Sequence, residues 1–367
     1  MTNQRLHLVG LGCARNDVDS EELAARFDQA GFDLVDRPDQ AEVIVVNTCG
    51  FIAAAKQDSI DQILAAADWK QSGPAQAVIA TGCLAERYGA ELAAALPEAD
   101  AVVGFDGYAD IAATVTAVLE GRPAPSHQPR DRRLLPLIAP SPSAHTGSTT
   151  SPAGPGTVAA ASKSATANTT VTVDSAATPL ATATLAPEPT RSPLRRRLET
   201  GPSAALKIAS GCDRRCAFCA IPQFRGRFQS RPADDIVAEA RWLAEQGVRE
   251  LVLVSENSTA YGKDLGTQPT GERSAALTSL LSRLSQVDGI DWLRLLYLQP
   301  AELTPALIAA VATTPKVVPY IDLPVQHASP RLLRRMRRFG GGDRFLTLLD
   351  QIRQARPEMA IRTNVIV

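Results

Sequence analysis

Short aliphatic runs alternate with longer amphipathic stretches along most of this chain, and that alternation constrains the fold more than any other feature. In the first 120 residues each of four aliphatic runs, at 6–11, 43–47, 77–80 and 101–103, is followed by an amphipathic stretch. Strands that alternate with helices build parallel sheets covered on both faces. We therefore expect an α/β fold that begins with a parallel-sheet domain.

The alternation resumes after residue 200 and predicts a second α/β unit. Five strand candidates, separated by helical crossovers, lie at residues 206–209, 250–254, 292–297, 318–323 and 361–367. Such a series predicts a partial β/α barrel or an open α/β sheet. The sequence stops on an apolar strand with no helix to cover it, so we expect it to be truncated at its C-terminus.

A segment of low complexity separates the two units. Between residues 139 and 190, 42 of 52 residues are Ala, Ser, Thr, Pro or Gly, and three are Asp, Glu or Lys. This composition cannot bury enough apolar surface to offset the entropy lost on ordering. We therefore predict an N-terminal domain over residues 1–120, a disordered linker over 121–201 and a second domain over 202–367.

Charge and hydropathy exclude several classes of protein. Lys and Arg together number 38 against 39 Asp and Glu, which excludes a basic nucleic-acid coat. No window offers the roughly 18 consecutive apolar residues of a membrane span, and the N-terminus lacks the layout of a signal peptide. We expect a soluble, cytoplasmic protein without a membrane partner, whose six cysteines serve metal or redox chemistry.

Three of the cysteines form a compact motif directly after the strand candidate at 206–209. The motif is Cys-x-x-x-Cys-x-x-Cys, formed by Cys212, Cys216 and Cys219. Three thiolates on one short loop suit an iron-sulfur cluster, and a four-iron cluster with three ligands keeps one iron open for a substrate or cofactor. A structural zinc ion would need a fourth ligand, and none of the usual types lies nearby. A zinc knuckle or cysteines without a metal are the alternatives.

The remaining cysteines are spaced by 36 and 34 residues, which matches no short zinc or ferredoxin pattern. Each ends one strand candidate and has a glycine beside it; they are Cys13, Cys49 and Cys83, with Gly12, Gly50 and Gly82. The carboxyl ends of neighbouring parallel strands face one crevice, so we expect the three thiols to converge there. Glycines would allow the backbone to approach a bulky cluster closely. The alternative is three buried cysteines that act as small hydrophobic residues.

The Cys212 loop is similar to the cluster loop of the radical SAM superfamily, and both triplets together resemble its methylthiotransferase family. Three segments, at residues 11–22, 47–60 and 82–88, are similar to the branch that modifies ribosomal protein S-12, the RimO type. The tRNA branch, or MiaB type, usually has a Gly-Cys-Gln-Met-Asn-like first motif and an Arg soon after the second cysteine. Here Cys49 is followed by Gly50, Phe51 and Ile52.

The resemblance implies a flavodoxin-like or Rossmann-like N-terminal domain and a partial, TIM-like β/α radical SAM barrel. It implies two 4Fe-4S clusters: Cys212, Cys216 and Cys219 hold the one that binds S-adenosylmethionine, and Cys13, Cys49 and Cys83 hold the one that delivers sulfur. The implied reaction replaces a C–H bond at the β-carbon of an aspartate of ribosomal protein S-12, in the small ribosomal subunit, with C–S–CH3. One S-adenosylmethionine donates the methyl group and a second is the radical source. An electron donor such as flavodoxin or ferredoxin is implied too. The family continues into a C-terminal TRAM domain, and we expect the truncation to remove it.

Ends of the predicted barrel strands supply further expected cofactor contacts. These are Glu256 and Asn257 after the second strand and Gln326 after the fourth, together with Phe218 inside the cysteine loop. No catalytic residue is assigned beyond the cluster ligands. The basic runs at 331–338 and 195–197 could meet ribosomal RNA or an acidic peptide, or they are solvated surfaces.

Two rival functions remain open at this point. One is a tRNA adenosine methylthiotransferase of the MiaB type, with the same clusters and another substrate. The other is a non-catalytic iron-sulfur or zinc-binding module that acts as a redox sensor or scaffold. The metal content separates the module from the enzymes, and activity on a peptide or an anticodon stem-loop separates the two enzymes.

Overall fold

The computed structural model describes residues 3–134, 195–266 and 274–367. The low-complexity stretch at 139–190, on which the linker prediction depends, lies outside the described residues. Of the predicted linker only its two ends, 121–134 and 195–201, are described. The parts of the chain before and after the low-complexity stretch belong to one compact unit, which spans Met1–Leu135 and Arg191–Val367.

The N-terminal part of the chain is a five-stranded parallel sheet. Its strands are β1 (Arg5–Gly10), β2 (Asp33–Leu34), β3 (Val43–Thr48), β4 (Ala77–Thr81) and β5 (Ala101–Val102), in the order β2-β1-β3-β4-β5. Helices α1 (Ala14–Gln29), α2 (Ala53–Ser72), α3 (Gly82–Ala95) and α4 (Ile111–Leu119) connect them. This order is that of a flavodoxin-like, doubly wound sheet, so the predicted fold class is confirmed.

The central strands are buried on both faces, which explains their continuous aliphatic sequence. Every residue of β3 and β4 is buried. Ile44 and Val46 pack in one apolar cluster with Ile63 of α2, whereas Val45 packs in another with Phe27 of α1. Successive side chains of a strand point to opposite faces, so each strand contributes to two cores.

The second part of the chain is a run of helices and strands, most of which pair in parallel, with one short antiparallel pair. It contains β6 (Ser203–Lys207), β7 (Ala209–Ser210), α5 (Ile221–Arg225), β8 (Gln229–Ser230), α6 (Ala233–Glu245), β9 (Glu250–Val254), α7 (Ala275–Ser285), β10 (Trp292–Leu295), α8 (Pro305–Thr313), β11 (Tyr320–Asp322), α9 (Pro330–Arg335), α10 (Gly342–Ala355) and β12 (Ala360–Arg362). Parallel pairing joins β10-β9-β6 and β11-β12. A parallel bridge links Leu293 of β10 with Val317, which precedes β11, and the amide of Leu298 donates to the carbonyl of Asp322 in β11. The arrangement agrees with a partial β/α barrel.

The structure differs from the sequence-based prediction mainly near its C-terminus. Helix α10 begins at the last of three glycines, 340–342, which conceal its start in the sequence, although Phe345, Leu348 and Ile352 give it a buried face. Strand β12 covers residues 360–362 instead of 361–367. Helix α9 ends at Arg335, before Arg337 adopts a left-handed φ of 54°.

Among the described residues, no helix combines the length and the apolar character that a membrane crossing requires.

Candidate functional site

Three cysteines follow three neighbouring strands of the N-terminal sheet. Cys13 follows β1 and caps α1, Cys49 comes directly after β3, and Cys83 lies in the first turn of α3, after β4. Since β1, β3 and β4 are adjacent and parallel, the three cysteines share the carboxyl edge of the sheet. The connections reverse direction between β1 and β3, and such a point is where open α/β sheets bind their ligands.

Glycines let the three cysteine-bearing loops approach one another. A Cβ atom on Gly12 would lie 2.9 Å from Cys49 Sγ, and one on Gly50 would lie 3.0 Å from the carbonyl carbon of Cys83. Gly82 has a φ of +90°, and a Cβ there would lie 2.4 Å from the carbonyl oxygen of Thr48. Glycine at these positions therefore lets the loops approach one another, and the thiol set fits an iron-sulfur cluster.

Within the described residues, no three His, Cys, Asp or Glu side chains are placed to bind one metal ion together. The thiolates of a 4Fe-4S cluster bind different iron atoms. The absence of such a group argues against a site for a single ion, such as a zinc knuckle, and does not argue against a cluster.

The second triplet occupies a loop that follows β7 and is fixed by backbone hydrogen bonds. The amide of Cys212 donates to the carbonyl of Gly226 at 3.1 Å, and that of Ala217 donates to Met336 at 3.0 Å. A Cβ on Gly211, whose φ is +79°, would lie 2.0 Å from the carbonyl oxygen of Arg227. The loop therefore depends on glycine to close, and its three thiols fit the donor set of an iron-sulfur cluster.

Burial keeps the thiols of Cys212 and Cys219 protonated when no metal binds them. It raises the pKa of Cys212 to about 11; an amide hydrogen bond from Arg214 opposes the rise, and Cys219 and Cys216 add to it. Burial likewise raises the pKa of Cys219. Cluster assembly requires the thiolates, so iron binding has to displace these protons.

Glu302 ties this loop to the ends of two strands. Its carboxylate accepts from Arg214 at 2.5 Å, Asn257 at 3.1 Å, Thr259 at 3.0 Å and Lys263 at 2.8 Å. Burial alone would raise the pKa of Glu302, but Lys263 and Arg214 hold it below its usual value. Because Arg214 lies between Cys212 and Cys216, Glu302 anchors the cysteine loop.

The four predicted cofactor contacts lie in different surroundings. Phe218 is 46% exposed. Asn257 donates to Glu302, and Gln326 has a left-handed φ of 72° with both its backbone groups bonded to the segment after β12. Glu256 forms a buried ion pair with Arg15 of α1, so it faces the N-terminal sheet.

Sequence reasoning missed a group of buried charges between the two parts of the chain. Arg225 donates to Asp19 of α1 at 2.8 Å and to Cys83 Sγ at 3.1 Å. Arg195, predicted as part of a basic surface run, is instead buried and pairs with Glu21 and, at 2.7 Å, with Glu239. These pairs join residues up to 206 positions apart in the sequence. No local sequence pattern predicts a contact at that separation.

Two family models match the chain. Residues 5–104 match the uncharacterized protein family UPF0004, and residues 206–367 match the radical SAM superfamily. The second match implies that S-adenosylmethionine and a 4Fe-4S cluster serve this chain. The matched ranges contain Cys13, Cys49 and Cys83 in the first case and the Cys212 loop in the second.

Solved structures with similar folds also belong to radical SAM enzymes. The radical S-adenosylmethionine methyltransferase TsrM from Kitasatospora setae aligns with a TM-score of 0.55 at 14% identity, over 99% of this chain and 67% of that one. The cobalamin-dependent S-adenosylmethionine radical enzyme OxsB aligns with a TM-score of 0.56 at 11% identity, over 99% and 49%. At this identity the likeness shows the fold alone.

Curated relatives are far more similar. The ribosomal protein uS12 methylthiotransferase RimO of Cutibacterium acnes is 55% identical over 361 residues, which cover 98% of this chain and 70% of that protein. Its counterpart in Kineococcus radiotolerans is 52% identical over 366 residues, which cover 100% and 69%. The chain belongs to the RimO family of ribosomal protein uS12 methylthiotransferases, within the radical SAM superfamily.

Proposed function

We propose that this chain inserts a methylthio group at the β-carbon of an aspartate of ribosomal protein uS12. The observation that carries the proposal is the placement of Cys13, Cys49 and Cys83 at the ends of three adjacent strands, in one unit with the Cys212 loop. The relatives at 50–55% identity are uS12 methylthiotransferases, and their substrate is the one we assign here.

Each cysteine triplet then holds one 4Fe-4S cluster. Cys212, Cys216 and Cys219 bind the first, and Cys13, Cys49 and Cys83 bind the second. When bound, the clusters and S-adenosylmethionine supply the radical, the sulfur and the methyl group. The two matched ranges, 5–104 and 206–367, support a division into an N-terminal domain and a radical SAM domain.

The protein's own residues hold these groups and exclude water. Buried ion pairs, such as Arg225 with Asp19 and Arg15 with Glu256, fill the junction beside Cys83. Radical chemistry needs a site from which water and competing reactants are kept out. The S-adenosylmethionine contacts in this proposal are Phe218, Glu256, Asn257 and Gln326. Because Glu256 pairs with Arg15 of α1, its contact with S-adenosylmethionine would lie on the side of the N-terminal sheet.

An acidic redox protein such as flavodoxin or ferredoxin is the electron donor in this proposal. Four arginines, at 331, 334, 335 and 337, are exposed, and the neighbouring Arg338 lies 3.7 Å from Cys216 Sγ. A positive surface beside a cluster ligand steers an acidic partner to it. The double variant Arg334→Glu/Arg335→Glu should raise the KM for flavodoxin while turnover with dithionite stays unchanged; equal KM values would remove the support.

The proposal is tested by anaerobic reconstitution followed by mass spectrometry of two substrates. A uS12 loop peptide and an anticodon stem-loop are each incubated with S-adenosylmethionine and a reductant. A methylthio mass gain on the peptide alone is the expected result. A gain on the RNA alone would assign the chain to tRNA modification, and a chain that binds zinc or forms no deoxyadenosine would be a non-catalytic module.

A further inference from the structure

We propose that Arg225, a residue of the radical SAM segment, is a positioning residue for the cluster at the other cysteine triplet, where it holds Cys83 and raises the reduction potential of that cluster. The inference rests on the proposed function, because it requires a cluster at Cys13, Cys49 and Cys83.

The geometry around Arg225 is that of a fully engaged guanidinium. Nη2 donates to Cys83 Sγ at 3.1 Å, Nη1 donates to Asp19 at 2.8 Å, and the group stacks on the ring of Phe105 at 4.3 Å. The side chain is 8% exposed. Three independent contacts to the N-terminal part leave it a single orientation, although its backbone belongs to the radical SAM segment.

The charges around this point are arranged to keep Arg225 positive. A guanidinium stays protonated in proteins, and Nη1 donates to the Asp19 carboxylate at 2.8 Å. Asp19 is itself held ionised: burial would raise its pKa, yet Lys207, Arg225 and Arg15 lower it well below its usual range. A permanent positive donor therefore lies against one cluster ligand.

A hydrogen bond from a cation to a cluster sulfur favours the reduced, more negative state of the cluster. Hydrogen bonds to the sulfurs and the local net charge are main determinants of iron-sulfur potentials. Arg225 should therefore raise the potential of the N-terminal cluster and keep Cys83 in its ligating rotamer.

Helix α5 makes this contact a physical link between the two triplets. The helix begins at Ile221, two residues after Cys219, and ends at Arg225. Phe224 of the same helix is buried, and Arg87 of α3 lies over its ring at 5.8 Å. One short, packed helix thus has a cluster ligand before its start and the partner of another ligand at its end.

Arg195 offers a matched control. It is also a buried arginine that pairs α1 with the second part of the chain, through Glu21 and Glu239, but it donates to no cysteine. A substitution that only weakens the packing between the two parts of the chain should shift the potential of the cluster equally at Arg195 and Arg225. A change that acts through the cluster ligand should act at Arg225 only.

The experiment uses the full chain with Cys212, Cys216 and Cys219 replaced by Ala, so that only the N-terminal cluster loads. The midpoint potential is measured by redox titration followed by electron paramagnetic resonance, in this parent and in its Arg225→Lys, Arg225→Met and Arg195→Met derivatives. We expect Arg225→Met to lower the reduction equilibrium constant about tenfold, which is about 59 mV for one electron. Arg225→Lys should fall between, and Arg195→Met should match the parent in midpoint potential, although it loses stability.

Three results would overturn the inference. Equal potentials in the parent and Arg225→Met would remove the tuning role, and an equal shift in Arg195→Met would assign the effect to the junction. If Arg225→Met fails to load iron, full loading of Arg195→Met supports the positioning role and failure of both refutes it. A parent that binds no 4Fe-4S cluster would refute the two-cluster proposal itself and this inference with it.

Discussion

Replacing Arg195 by Ala should destabilise the protein strongly, although the residue lies outside both cysteine triplets. The guanidinium is 3% exposed, pairs with Glu21 and Glu239 and donates to the carbonyl of Ala205 at 2.8 Å. Ala would leave two buried carboxylates without this partner. Breaking a buried pair in this way costs about 3–5 kcal/mol, or roughly two to four orders of magnitude in the unfolding equilibrium.

The neighbouring Arg196 provides the control for this prediction. It pairs with Asp28, but the two side chains are 42% and 54% exposed. An exposed pair contributes about 0–1 kcal/mol, so Arg196→Ala should be nearly silent. Urea unfolding is followed by tryptophan fluorescence, which reports on both parts of the chain through Trp69 on α2, Trp242 on α6 and Trp292 on β10.

The pH dependence gives the same prediction a second readout. Burial would raise the pKa of Glu239, but Arg231 and Arg195 hold it below its usual value. The stability that this carboxylate contributes is therefore complete above its unfolded pKa, about 4.3, and is lost as the pH falls through the folded value. The difference in free energy of unfolding between the parent and Arg195→Ala should therefore become smaller below that pH. If the free energy of unfolding of Arg195→Ala, like that of Arg196→Ala, stays within about 1 kcal/mol of the parent's, the reasoning is refuted.

Three further predictions concern the cysteines and their supports. Cys83→Ala and Cys212→Ala should each bind about four irons per chain instead of about eight, and unchanged iron content in either would contradict the ligand assignment. Gly82→Ala should lower the free energy of unfolding by about 2–5 kcal/mol, because its Cβ meets backbone at 2.4 Å with a φ of +90°; Gly31→Ala, at a φ of +87° in open space, should cost only about 1 kcal/mol. Glu302→Gln should weaken the charged hydrogen bonds that anchor the Cys212 loop and cost about 1.5–3 kcal/mol, so iron should pass faster to a chelator; a rate equal to the parent's would argue against the anchor.

The strand pattern and the cysteine positions could be predicted because they have local causes. The aliphatic runs of β3 and β4 are buried on both faces, and this leaves a continuous signature in the sequence. A cysteine next to glycine at a strand end is equally visible. The start of α1 at Ala14 has no such signature, because the polar stretch after Cys13 carries no apolar period.

The buried charges between the two parts could not be predicted, and the reason is physical. Arg195 and Arg225 look in the sequence like any basic residue near a loop, and their carboxylate partners lie in α1 and α6. Pairing at this range depends on the finished fold. The role of Glu302 could not be predicted for the same reason, since it depends on four partners from two distant segments.

The anchored flanks of the long connecting segment have a consequence for protein engineering. On one side Arg132 pairs with Glu86 at 2.5 Å and with Asp106 at 2.6 Å, and on the other Arg195 is held by Glu21 and Glu239. Each flank is thus fastened by its own contacts, so we expect the two parts to associate without the connection. Two separately expressed pieces, cut between residues 135 and 194, should assemble into a working pair, and a tag or a fluorescent reporter could be inserted there.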